Sequence, residues 1–539
     1  MPFIRTQKIV YDEQHRIVSG SASIVDVKYV PSQGRAHSKQ TVRESLGAVV
    51  LLESKRKGIF LSKTRGLVEY DADMDAFTPV EADDERLTDS RITFTPSVHV
   101  VFGDVYGLLH FLHKSGFLSI LQTVFPDKLQ YERLLAHTLH GVLKDGSRIS
   151  CDDFIAKSVA SFLIPEVPLI SLKSDSVFFG FMGADEAKMK FFKAYVSAMR
   201  ENNPKFGRGC YVDSTSLPND ISDNPFNALC SHGLKGCSIQ MRLVLILDEL
   251  TGLPVWYDII PGNLLDVSTV RTVFDKVAAA LDIEVDSLVV DAGYVSKEMI
   301  GMCHIGTEKS MIGRMPNRKG FPFEELYNLN QDFMAHHDHD FRARGHDYFG
   351  VRRKIKLFGF KTYAYVYVDR QNAMKAYGDF HDAHPDEFSS LSGRERDWQA
   401  IRGDYFILVS NRELPPNELL DEYFGRTEIE GVFKTAKTYL DLLPLRKWTD
   451  QTVRGKILSD IINTIVVLSL RKNLAEAGIS LTELFGKTQS LMCMRDKKNN
   501  LIIETPNKNV RQLFKVAYEL KAPARLDLNA YRSQIVPSV

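Results

Sequence analysis

The chain has 539 residues, more than one hydrophobic core supports, so several domains are expected. Its 68 Lys and Arg balance 68 Asp and Glu, which counts mildly against a protein that holds nucleic acid by bulk charge. The six cysteines are scattered with no CxxC pair, which argues against a zinc cluster or a disulfide framework and fits a reducing cytoplasm.

In chain order, residues 1–95 read as β-rich, with short alternating runs such as "RIVSGSASIVDVKYV" and "GAVVLLES". The start, "MPFIRTQKIVYDEQ", shows no apolar secretory stretch. Residues 96–205 turn helical, with apolar residues spaced by three and four in "KLQYERLLAHTLHGVL" and "DEAKMKFFKAYVSAMREN". From 206 to 316 strands return: "GCYVDSTSL" reads as a strand ending in Asp213, and "IQMRLVLILD" with "LPVWYDIIPGN" reads as a hairpin around "ELTG". "DVSTVRTVFDKVAAALD" (266–282) reads as an amphipathic helix with Asp266 as N-cap, followed by a strand ending at Asp291 and another, "KSMIGRM". This order describes a mixed sheet covered by helices.

Residues 317–403 interrupt the pattern and read as an insertion. Its "HHDHDFRARGHD" brings His336, His337, His339 and His346 together, but without helical i,i+4 spacing or cysteine partners, so it reads as a surface loop. From 404 to 478 the chain resumes with the strand "YFILVSN", the helix "DEYFGRTEIEGVFKTAK" and a long buried helix. The run "ILSDIINTIVVLSL" in that last helix is too short and too interrupted to span a bilayer. Residues 479–539 are mixed and moderately basic. Three stretches are locally basic: 33–66, 340–361 and 495–525.

Chemistry concentrates in the helix 421–437. At about 100° per residue, Tyr423, Arg426, Glu430 and Lys437 share one narrow stripe. Asp213 and Asp291 stand at strand ends, and on neighbouring strands both carboxylates reach one sheet edge. With Glu430 they form a trio of hard oxygen donors that repel one another unless a cation such as Mg²⁺ or Mn²⁺ holds them. Two such ions activate a water or hydroxyl and stabilise the leaving oxygen of a phosphodiester. Arg426 and Lys437 beside them suit phosphate binding. Thr215 lies on the Asp213 side of its strand and is expected to orient that carboxylate.

The spacing Y-x2-R-x3-E-x6-K resembles the Y-R-E-K motif of bacterial insertion-sequence DDE transposases. "VDST" at the first acid, "TGLPVWYDIIPGN", "DAGYVS" at the second and "VRGKI" after the helix agree with it, over roughly 210–470. The resemblance implies a ribonuclease H-like α/β catalytic domain, 206–316 and 404–478, split by a β-rich insertion. It implies Asp213, Asp291 and Glu430 as catalytic metal ligands for two Mg²⁺ or Mn²⁺ ions. It also implies that Tyr423, Arg426 and Lys437 hold DNA phosphates. Similar enzymes stack a flipped base on a Trp in the strand before the motif helix; here Tyr405 or Phe406 stands in that place, and Trp398 is a rival. The implied partners are double-stranded DNA, both terminal inverted repeats and target, and a second copy of the chain in the synaptic complex. The implied location is a bacterial cytoplasm, at the nucleoid. A DDE-type nuclease that does not transpose and a non-catalytic DNA-binding descendant are the alternatives. The helical region 96–205 is expected to bind the DNA ends, with the basic run 33–66 as part of that contact.

Overall fold

A computed structural model of the chain describes residues 2–11, 17–30, 37–81, 84–87, 99–125, 127–144, 151–165, 172–218, 224–233, 236–263, 277, 280–304, 309–334, 336–401, 404–440, 442–443, 445, 447, 449–496 and 498–536. The helix expected over 266–282 lies largely outside them. The chain divides into two compact units, Met1–Val98 and His99–Val539.

The first unit is an antiparallel meander of β1 (Pro2–Tyr11), β2 (Ile17–Val30), β3 (His37–Leu52), β4 (Lys57–Ser62), β5 (Gly66–Asp71) and β6 (Ala76–Pro79). Alternate residues such as Ile4, Ile24, Leu46, Phe60 and Tyr70 build its core, as a period of two requires. Gly47 sits at φ +90, where a Cβ would lie 2.0 Å from the Leu61 carbonyl oxygen, so β3 can approach β4 there only with glycine. Among the described residues, four basic side chains of the run 33–66 pair with acids of this unit. Arg43 pairs with Asp26 and Asp75, Arg56 with Asp73, Lys57 with Glu69, and Arg65 with Glu44.

The second unit opens with β7 (Val100–Val101) and a group of helices between Gly103 and Asn202. Its main sheet comprises β8 (Gly209–Pro218), β9 (Ala228–Gly233), β10 (Gly236–Asp248), β11 (Pro254–Pro261), β12 (Ser287–Val290), β13 (Ser310–Arg314), β14 (Asp340–Ala343), β15 (His346–Leu357), β16 (Phe360–Asp369) and β17 (Tyr405–Ser410). The order β11-β10-β8-β12-β13 combines an antiparallel β8–β10–β11 meander with β12 and β13 parallel to β8. This is a ribonuclease H-like mixed sheet. β17 then pairs antiparallel with β13, and β16, β15 and β14 continue beyond it. The insertion's strands therefore extend the same sheet, and helices fill the rest of it, among them α1 (Phe323–Met334).

The expected 421–437 helix is split into α2 (Pro416–Gly425), α3 (Glu428–Lys434) and a π-helical turn over Thr435–Tyr439. Behind it runs α4 (Asp450–Ala475), capped by the reciprocal Thr449–Thr452 box and buried along most of its length. α4 crosses the helix Leu172–Met182 closely: a Cβ on Gly455 would meet the Phe179 carbonyl oxygen at 1.9 Å. Inside α4, Lys456 and Asp460 form a buried ion pair at 2.9 Å, and Lys456 also donates to the Leu442 carbonyl. Near the C-terminus β18 (Met492–Arg495), β19 (Asn500–Ile503) and β20 (Arg525–Asp527) pair in sequence, with β7 on the far side of β18. Among the described residues no helix is long and apolar enough to cross a membrane.

Candidate active site

Asp213 and Asp291 are set by strand register. Val212 pairs with Val290 across the parallel strands β8 and β12, so the next residue on each is an aspartate at the same edge. Neighbouring strands lie about 4.8 Å apart, too close for two uncompensated carboxylates. Arg426, at the break between α2 and α3, compensates both. Its Nη1 donates to Asp213 Oδ2 at 2.8 Å, and Nη2 lies 3.7 Å from Asp291 Oδ1. Burial pulls the guanidinium pKa down, but Tyr423 and the two aspartates outweigh it and raise it, so Arg426 stays charged. Tyr423 Oη lies 3.4 Å from Asp291 Oδ1, and its ring packs against the Arg426 guanidinium; burial lifts its phenol to about 12.

Three residues of β8 meet three of the motif segment in step. Tyr211 presses its hydroxyl on Gly425, where an added Cβ would lie 2.0 Å from Oη. Asp213 meets Arg426, and Thr215 accepts a hydrogen bond from Lys437 Nζ at 2.5 Å. Lys437 also donates to the Ser216 carbonyl at 2.9 Å. Thr215 thus positions Lys437, whereas sequence spacing had paired it with Asp213. Burial lowers the Lys437 pKa. Ser214 faces the other way and accepts from Arg242 at 2.6 Å.

Glu430 is in the first turn of α3 and is exposed. Among the described residues no group of three His, Cys, Asp or Glu is clustered to hold a metal ion, so Glu430 does not close the trio in this arrangement. The single-stripe geometry expected of Tyr423, Arg426, Glu430 and Lys437 needs one continuous helix, and α2 and α3 are separated at Arg426–Thr427. The two aspartates do fit a divalent cation: hard carboxylate oxygens converge on one positive group.

The three aromatic candidates separate. Tyr405 is buried against Phe323 and Tyr327, and Phe406 stacks on Tyr367 at 5.2 Å. Trp398 is half-buried and packs on Tyr327 at 4.2 Å. Trp398 and Tyr405 line a cleft of about 700 Å³ with Arg314, Pro316 and Ala292, the residue after Asp291. Arg314 was not legible as a site residue; its one signal is its place at the end of the strand beside β12. Of the clustered histidines, His337 pairs with Asp340 and His346 with Asp369.

The family profile described as the transposase DDE domain matches residues 204–462. That span covers both aspartates and the whole motif segment, a little under half of the chain. A comparison with curated proteins finds no match. Among solved structures, one described as the cryo-EM structure of a piggyBac transposase synaptic complex with hairpin DNA aligns at 11% identity and a TM-score of 0.35. The alignment covers 78% of this chain and 85% of that one.

Proposed function

We propose that this transposase moves DNA by cut and paste, with Asp213, Asp291 and Glu430 as its metal-binding carboxylates. The reading is supported above all by the convergence of Asp213 and Asp291 on one cationic group at the edge of a ribonuclease H-like sheet. The three acids would hold two Mg²⁺ or Mn²⁺ ions, with Glu430 brought in as α3 shifts toward the β8–β12 edge. Bound there, the ions would activate the attacking oxygen and stabilise the leaving one. Arg426, freed from the aspartates by that charge, would turn to the scissile phosphate, and Tyr423 and Lys437 would fix the strand beside it. The cleft between Trp398 and Arg314 would take a base drawn out of the duplex, with Trp398 as its stacking face.

Hydrolysis at a terminal inverted repeat would free a 3′-hydroxyl. That hydroxyl would attack the opposite strand to give a hairpin end, and after opening would join target DNA. Two chains would pair two ends, and the site of action would be wherever the element's DNA lies, a bacterial nucleoid by resemblance. The test is purified protein with the DNA bordering its gene. Mg²⁺-dependent nicking followed by hairpin and strand-transfer products is the expected result. Cleavage without strand transfer would instead make the protein a DDE-type nuclease, and no cleavage at all would make it a DNA-binding descendant.

A further inference from the structure

The inserted segment carries a residue that neither the motif nor the family match assigns. β14 and β15 form a hairpin whose two-residue loop is Arg344–Gly345, since Ala343 pairs with His346. Both loop residues have positive φ, 48° and 87°. A turn of this kind favours Asn-Gly or Asp-Gly, and an arginine in its first position carries backbone strain. The side chain is exposed yet fixed at its end. The Arg344 guanidinium stacks 5.4 Å from the Phe424 ring centre, and Nη1 donates to Thr427 Oγ1 at 3.2 Å. Phe424 and Thr427 flank Gly425 and Arg426, at the break that aims Arg426 at Asp213. Tyr348, on β15, packs 5.9 Å from Phe424 and holds the hairpin against α2.

We propose that Arg344 is a phosphate-gripping residue for the DNA strand that enters the Asp213–Asp291 site, delivered by the insertion. The inference rests on the transposase reading above. A guanidinium pinned by stacking and one hydrogen bond keeps planar donors for a bidentate phosphate contact with little ordering entropy left to lose. The strained turn is consistent with a residue retained for its side chain rather than for the loop. Arg344 would then act beside Arg426, and the insertion would be part of the DNA grip.

The test compares wild type, Arg344→Asn and Arg344→Lys, because asparagine suits the turn and protects the fold. Binding is read by anisotropy of a labelled duplex taken from the DNA bordering the gene, at several salt concentrations. Single-turnover cleavage in Mg²⁺ and thermal melting are measured alongside. Arg344→Asn is expected to bind roughly tenfold more weakly at low salt, with a salt slope smaller by about one, and with an unchanged or higher melting temperature. Arg344→Lys should recover the salt slope but not the full cleavage rate. Wild-type affinity and slope in Arg344→Asn, with wild-type protein still cleaving, would overturn the proposal and leave the transposase reading standing. A wild-type protein that does not cleave would strike at that reading instead.

Discussion

At the scale of single residues, the site is a charge arrangement in which one guanidinium answers two carboxylates. Asp213→Asn removes the acid nearest Arg426, 2.8 Å away, and should stop metal-dependent cleavage while leaving DNA binding intact. Lys437 makes an opposite demand on stability. Burial lowers its pKa, so the protonated form costs folding free energy at neutral pH, and that cost fades as pH rises through the depressed value. Lys437→Met should therefore hold or raise the melting temperature while slowing cleavage; a clear fall in melting temperature would show that its bonds to Thr215 and Ser216 outweigh the burial. Asp291 was legible as an acid closing an apolar strand, whereas Asp213, read as a strand end, lies inside β8, which runs on to Pro218 because Ser214–Pro218 continue its pairing with β10. Arg344 was not legible, because its signal is a two-residue turn whose importance depends on what lies opposite it in space.

At the scale of elements, the sequence periodicity recovered the strands around both aspartates but read the motif segment as one helix. The break at 426–427 follows Gly425, a weak helix former. What the sequence did not show is Tyr211, 214 positions earlier than Gly425, whose hydroxyl occupies the space a side chain there would need. Gly425→Ala should cost about 1–3 kcal/mol from overpacking and slow cleavage beyond that by moving Arg426; thermal melting and single-turnover rates read the two effects. The insertion was legible as a break in pattern, whereas its strands joining the central sheet were not, since alternation names a strand and not its partner. Behind the site, Lys456→Met would leave Asp460 buried without its cation and should destabilise by about 3–5 kcal/mol, measured by denaturant unfolding.

At the scale of the whole molecule, charge is sorted rather than abundant. Net charge is zero, and in the N-terminal unit Arg43, Arg56, Lys57 and Arg65 are each answered by an acid of the same unit. Arg65, paired with Glu44 and stacked on Phe77, should consequently be replaceable by Gln with no change in the salt dependence of DNA binding. A smaller slope would show that this unit's run 33–66 does touch DNA. At the catalytic edge, Glu430 is the proposed third carboxylate beside Asp213 and Asp291. The most direct measurement is Mg²⁺-dependent cleavage of the gene's bordering DNA by wild type and Glu430→Gln, with binding measured in parallel. A loss of about a thousandfold in rate, roughly 4 kcal/mol, with end binding unchanged is the predicted result; a Glu430→Gln protein that cuts at the wild-type rate would contradict it.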